Sequence, residues 1–343
     1  MLGLHSIPGV EKTLPGHSSI HFSYRIRFTS FSDGLFRTFV TEDLLLTGVT
    51  VTSSRPLVLT AGPQTFHLES GPLVMGILNV TPDSFSDGGA YVTVDQALSR
   101  AKQMQEEGAD IIDVGAESSR PGAQPIDESE ELRRLIPVLE AVRGAVSIPI
   151  SVDTTKAAVA RRAIQAGVTI VNDISALRGD PLMASLVAET GAAVVLMHMQ
   201  GTPQTMQQSP RYRNVVDEVS LFLRERIQVA LGHGIRPSQI ILDPGFGFGK
   251  LQEHNLQLLA EFDMLTRLGY PVLAGLSRKQ FIGRLTGQPV HERGYGTAGA
   301  VAAAVLKGAH IIRVHDVRAM RDTITVVSTI ARHSRSGPEE SHA

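Results

Sequence analysis

Seven glycines constrain the architecture more than any other feature of this chain. Gly108, Gly144, Gly167, Gly191, Gly234, Gly269 and Gly308 each stand shortly before a short apolar run. With the run that precedes them all, the series is Leu73–Val80, Ile111–Gly115, Ile148–Asp153, Ile170–Asn172, Ala193–His198, Ile240–Asp243, Pro271–Ser277 and Ile311–His315. The stretches between them carry helical spacing, such as Val94, Ala97, Leu98, Ala101 and Met104 in the first. A helix commonly ends on a left-handed residue, and glycine suits it because it has no Cβ to clash. Thr93 with Gln96 predicts a capping box, and Asp180 before Pro181 predicts another helix start. Eight apolar strands alternating with helices imply a parallel sheet covered by helices. Eight units over about 260 residues suit a closed α/β barrel, the (β/α)8 TIM barrel. A doubly wound open sheet is the alternative, because periodicity does not show closure.

Composition narrows the function classes. Against 34 Asp+Glu stand 32 Lys+Arg, so there is no basic surplus for nucleic acid. Hydrophobic residues at 42% and charged residues at 19% describe a chain able to bury a core. The absence of Cys removes disulfides, thiolate catalysis and Cys-ligated metals together. The longest apolar run found, Ala298–Leu306, is far short of the roughly 18 residues of a membrane helix. Met1–Thr13 shows no signal-peptide pattern. A soluble, cytoplasmic protein with no membrane partner is expected.

Residues 1–70 have a different texture, rich in Ser, Thr, Gly and Pro. They read as a loosely ordered N-terminal extension, with a half-buried strand at His21–Phe28 and a hairpin from Leu57–Thr60 and Thr65–Leu68 near its end. Residues 71–333 form the expected barrel, and 334–343 a polar tail.

In such a barrel chemistry sits at the C-terminal strand ends. Those ends read Asn79, Asp113 with Glu117, Asp153, Asn172 with Asp173, His198, Asp243, Ser277 with Lys279, and Arg313 with His315. Singly, each is explained as a helix cap. Eight on one rim make a site. Asp153, Asn172 and Asp243 suit a planar, nitrogen-rich ring with a guanidine-like edge. Arg120, Arg278, Lys279, Arg313 and His315 suit a phosphate or carboxylate. Together they imply a heterocycle carrying a phosphate leaving group. His198, between two methionines, reads as a packed residue rather than a metal ligand. Gly245–Lys250 (GFGFGK) lacks the spacing and the Ser or Thr of a phosphate-binding P-loop, and reads instead as a flexible loop approaching a flat ligand.

Seven motifs in order then resemble the dihydropteroate synthase family. They are Met75–Gly89 (MGILNVTPDSFSDGG), Glu117–Gly122 (ESSRPG), Ser151–Thr154 (SVDT), Leu196–Gly201 (LMHMQG), Leu242–Lys250 (LDPGFGFGK), Ser277–Lys279 (SRK) and Arg313–Asp316 (RVHD). The resemblance covers the barrel and not the extension. It implies a transferase of folate biosynthesis, condensing p-aminobenzoate with 6-hydroxymethyl-7,8-dihydropterin diphosphate to 7,8-dihydropteroate and pyrophosphate, with Mg²⁺.

By the same resemblance, Asp153, Asn172, Asp243 and Lys279 hold the pterin, with Met197, Gly247 and Ser277 around it. Asn79 helps bind Mg²⁺ and diphosphate, and Arg313 and His315 grip the diphosphate. Ser119, Arg120, Pro121, Phe248 and Lys279 shape the p-aminobenzoate pocket, which sulfonamides also enter. Asp83 and Phe85 lie on a mobile loop. The catalytic set is Asp153, Asp243, Lys279, Arg313 and His315, and a homodimer is implied. Two departures stand out: Ser119 replaces a frequent Thr, and Gln280 a frequent Ser. The alternatives are a pterin-binding methyltransferase-type barrel, which needs no diphosphate grip, and a non-catalytic pterin-binding barrel.

Overall fold

A computed structural model describes residues 57–80 and 94–333. The expected strand at His21–Phe28, the capping box at Thr93, the mobile-loop residues Asp83 and Phe85, and the polar tail lie outside them.

The described chain opens with a hairpin, β1 (Val58–Ala61) and β2 (Gln64–His67). Eight parallel strands follow: β3 (Leu73–Asn79), β4 (Ile111–Gly115), β5 (Ile150–Asp153), β6 (Ile170–Asp173), β7 (Ala193–Met197), β8 (Ile240–Asp243), β9 (Leu273–Ala274) and β10 (Ile311–Val314). Their hydrogen-bonded order is β8-β7-β6-β5-β4-β3-β10-β9. The remaining seam closes where Leu242 bridges Val272 in parallel and the Leu242 N–H donates to Pro271 O at 2.8 Å. The closed barrel prevails over the open sheet. The helices that cover it are α1 (Val94–Glu106), α2 (Glu128–Arg143), α3 (Ala157–Gln165), α4 (Met183–Thr190), α5 (Val215–Gly232), α6 (Gln252–Ala260), α7 (Phe262–Thr266), α8 (Gln280–Thr286), α9 (Gly294–Leu306) and α10 (Val317–His333).

The helix-to-strand glycines behave as expected with one exception. Gly108, Gly167, Gly191, Gly234, Gly269 and Gly308 have positive φ, whereas Gly144 is right-handed at φ −75°. A second correction concerns Asp180. The helix after it starts only at Met183, and Asp180 instead accepts from Leu182 N and from Ala157 N, the first residue of α3.

Strand pleating separates two cores. On alternate positions Ile112, Val114, Val194, Leu196 and Leu242 face the helices in the larger cluster. The intervening Met75, Ile111, Ile170, Val195, Ile241, Leu273 and Ile311 pack together inside the barrel. Leu59, Ala61 and Leu68 from the hairpin join this inner cluster and seal its lower end. Leu59 is fully buried. Leu59→Ala is therefore expected to cost about 2–5 kcal/mol, the usual range for a leucine truncated in a core that relaxes little. Urea unfolding beside the exposed-site control Thr65→Ala checks this, and equal stability of the two would show that the hairpin is a passive appendage.

Candidate active site

The same pleat that builds the apolar floor builds the polar rim. Two residues beyond inward Ile111, Ile170, Ile241 and Ile311 come Asp113, Asn172, Asp243 and Arg313, on the same strand face. Register adds a common level, since Asp153 pairs with Asn172 and Met197 with Asp243. One pocket gathers Asp153, Asn172, Asp243, Lys279, Arg313 and Phe248, with Ser119 and Met197 also at its wall.

Arg313 organises this pocket. Its Nε donates to Asp113 Oδ2 at 2.6 Å and its Nη2 to Asp153 Oδ2 at 3.1 Å. Asn172 Nδ2 donates to the same Asp113 Oδ2 at 3.0 Å. Asp113 is wholly buried, and its other oxygen has no protein partner. One guanidinium thus serves two carboxylates. Burial, and then the Asp113 charge, push the Asp153 carboxyl up to about 7 against the opposing pull of Arg313. Arg313 keeps its charge, because the carboxylates raise its pKa against the effect of burial.

Burial likewise raises the Asp243 carboxyl, opposed by Gly245 N–H, which donates to Oδ1 at 2.7 Å, and by Lys279. Lys279 is brought down to about 8 by burial. Its Nζ stands 4.4 Å from the Phe248 ring centroid, a cation–π contact. A Cβ on Gly247 would meet Lys279 Cδ at 3.2 Å, so the glycine leaves room for that lysine.

His315 and Arg278 depart from the expectation that both bring positive charge to the rim. The backbone N–H of His315 donates to Ser277 Oγ at 3.2 Å, and the hydroxyl lies 2.9 Å from His315 Nδ1. The hydroxyl and Nδ1 share one hydrogen, donated by whichever of the two the ring tautomer dictates. Burial and the neighbouring cations bring His315 down to about 3. It is a neutral donor at pH 7, not a charge. Arg278 is paired with Asp316 through Nη2 at 2.6 Å and Nε at 3.1 Å.

Ser119 lies on the segment between β4 and α2, where Arg120 and Pro121 are exposed. The base of this segment is tied down. Lys156 pairs with Glu117 and reaches the fully buried Glu131 of α2 at 2.5 Å. Ser119 and Asp153 also border a neighbouring cavity of about 410 Å³. Asn79 ends β3 half-buried. Among the described residues no three His, Asp or Glu side chains converge as a metal cage.

Three residues carry more than the sequence reading gave them. Asp113 was one rim carboxylate among several, yet it orients both Asn172 and Arg313. Its signal was an Asp inside the apolar run Ile111–Gly115. Lys250 and His198 form a buried pair behind the Gly245–Gly249 loop. The loop is not the flexible segment expected, since its backbone is held at six points: Gly245 O and Phe248 O by Lys250, Gly245 N by Asp243, Gly247 N by Asn255, Gly247 O by Gln207, and Gly249 O by Tyr212.

A parallel barrel with an acid-lined slot and two cations at its strand ends defines an enzyme of the barrel class that holds a polar ring. Residues 75–315 match the family described as pterin binding enzyme. The chain is 49% identical over 257 residues to the dihydropteroate synthase of Haemophilus influenzae, covering 75% of this chain and 93% of that one. To that of Synechocystis it is 45% identical over 278 residues, with 81% and 96% covered. Among solved structures, the Yersinia pestis dihydropteroate synthase in a sulfonamide drug complex superposes with a TM-score of 0.77 at 44% identity, covering 82% of this chain and 100% of that one. The Xanthomonas albilineans dihydropteroate synthase with 4-aminobenzoic acid gives 0.76 at 45% identity, covering 83% and 100%. The chain belongs to the pterin-binding enzymes, in their dihydropteroate synthase family.

Proposed function

We propose that this chain condenses 6-hydroxymethyl-7,8-dihydropterin diphosphate with p-aminobenzoate, giving 7,8-dihydropteroate and pyrophosphate. The observation that carries this reading is the single pocket in which Asp153, Asn172 and Asp243 face Lys279, Phe248 and Arg313. Asp243, Asn172 and Asp153 clasp the ring's nitrogen-rich edge, with Met197, Gly247 and Ser277 nearby. Arg313 and the neutral His315 ring meet the diphosphate. Ser119, Arg120, Pro121, Phe248 and Lys279 bound the p-aminobenzoate site.

The reaction breaks the bond between the pterin CH₂ carbon and a diphosphate oxygen, and the aromatic amine forms a new C–N bond and loses a proton. Departure leaves positive charge on the pterin, which the buried Asp243 and Asp153 stabilise in a low-dielectric pocket. Lys279, beside Phe248, fixes the face from which the amine approaches, so attack needs little reorganisation. Asn79, half-buried at the end of β3, would offer a protein oxygen to a cation held mainly by substrate phosphates. When bound there, Mg²⁺ neutralises charge on the diphosphate.

Pyrophosphate release measured with and without p-aminobenzoate tests the reading. Release that requires both substrates supports it. Methyl transfer from methyltetrahydrofolate would favour the methyltransferase-type barrel, and pterin binding without turnover the non-catalytic one. No helix among the described residues is long and apolar enough to cross a membrane, and a cytoplasmic location completes the proposal. We take residues 71–333 as the catalytic barrel. A homodimer is part of this reading, supported by exposed Leu306 on α9 and Val326 and Ile330 on α10.

Two further outcomes are expected. Only ionised Asp153 can accept from two ring N–H groups, and it titrates near 7. Affinity for 6-hydroxymethylpterin therefore rises with pH between about 6 and 7.5 as that proton leaves, and Asp153→Asn removes the rise. Calorimetry across that range checks the sign; a flat wild-type profile would refute it. Sulfonamides, as p-aminobenzoate analogues, are expected to bind appreciably only when pyrophosphate and Mg²⁺ order the loops that complete their site. Equal sulfonamide affinity without pyrophosphate would mean a preformed pocket.

A further inference from the structure

Lys250 is 3% exposed and touches no carboxylate. Its Nζ lies 2.9 Å from His198 Nδ1, 3.0 Å from Gly245 O, 3.0 Å from Phe248 O and 3.3 Å from His198 O. Three N–H bonds facing four acceptors leave no donor for a substrate, and Lys250 borders neither cavity described above. A lysine after a glycine-rich loop invites a phosphate-binding role, and this geometry excludes it.

The contacts instead fasten the loop to the end of β7. A Cβ on Gly245 would stand 2.0 Å from His198 O, and one on Gly249 would stand 2.6 Å from Gln200 O. Both glycines have positive φ, so only this residue type lets the loop lie so close. Asn255 Oδ1 takes Gly247 N at 2.7 Å, and Gln207 Nε2 donates to Gly247 O at 2.8 Å. Phe248 is the loop side chain that meets Lys279. Its own carbonyl is one of the four acceptors around Lys250.

We propose that Lys250 is a positioning residue: clasped to His198, it pins the Gly245–Gly249 loop so that the Phe248 ring is held against Lys279 at the p-aminobenzoate side of the pocket. This rests on the dihydropteroate reading for its substrate and on geometry for its clasp. With Lys250 as the ammonium, His198 presents a lone pair at Nδ1 and carries its ring hydrogen on Nε2. A buried ammonium satisfied by carbonyls specifies one loop conformation, because any other leaves those donors unpaired.

The test compares Lys250→Met, His198→Leu and His198→Asn, with folding checked separately by urea unfolding. Lys250→Met and His198→Leu are expected to raise the KM for p-aminobenzoate about tenfold and that for the pterin diphosphate far less, since Asp243 stays on its strand. His198→Asn, which keeps an acceptor near the position of Nδ1, should restore most of the loss. In the ligand-free wild type, histidine ¹⁵N shifts should show His198 as the Nε2–H tautomer with a hydrogen-bonded Nδ1. A folded Lys250→Met or His198→Leu with wild-type KM values overturns the proposal. So does an Nδ1–H tautomer in the wild type, an observation available even where neither variant folds. A wild type that forms no dihydropteroate would sink the functional reading alone, and the tautomer would still decide the clasp.

Discussion

Asp243→Ala is expected to lower kcat/KM by about a thousandfold, on the scale of removing one preorganised charge-stabilising group. Lys279→Ala should do comparable damage by a different route. Asp243 is buried at the end of β8, with Gly245 N–H fixing one of its oxygens. Its loss removes the carboxylate that clasps the ring and favours the cationic pterin, so pterin binding and turnover fall together. Lys279 lies between that carboxylate and the Phe248 ring, and its charge helps keep Asp243 ionised. Its loss should impair p-aminobenzoate engagement as well, and should raise the Asp243 pKa further, since a compensating cation is gone. Steady-state kinetics with each substrate varied in turn separates the two patterns. Near-wild-type turnover in either variant would end the assignment.

Asp113→Ala should show in stability as much as in activity. The substitution leaves Asn172 Nδ2 and Arg313 Nε without their shared acceptor, in a position with no solvent to replace it. Breaking a buried pair from one side costs roughly 3–5 kcal/mol. Here the cost is moderated, because Arg313 retains Asp153 and two carboxylates no longer repel. The same release should bring the Asp153 pKa down from about 7, moving the pH dependence of pterin binding to lower pH. Urea unfolding gives the first quantity and calorimetry the second. Unchanged stability would show that Asp113 does not hold Arg313 and Asn172 in place.

Much of this was open to reading in the sequence. Glycines at the helix ends and apolar runs between them expressed local backbone chemistry, which needs no knowledge of distant contacts. The rim residues were legible for the same reason, since a barrel places strand ends together by topology. What could not be read was who holds whom. Arg313 looked like a free cation for phosphate, but it sits 200 residues from its partner Asp113 in the chain. His315 looked like a charge, and only its burial and its cationic neighbours show it neutral. Lys250 looked like part of a mobile loop because its acceptors are mostly backbone carbonyls, which sequence patterns do not display. Gly144 resembled the other helix-ending glycines, yet its chain turns without needing left-handed φ.

The hairpin below the barrel has a kinetic consequence. With Leu59, Ala61 and Leu68 packed into the inner cluster, the described residues close the barrel interior on the side opposite the rim. Whatever sits deepest enters first and leaves last. On the proposed reading the pterin lies at the acidic bottom and p-aminobenzoate nearer the opening, so a bound aromatic amine closes the exit behind the pterin. Pyrophosphate then leaves by the rim through which its precursor entered. On that reading an ordered sequence follows from access at the rim, and the strand pair on the opposite side contributes by closing the base.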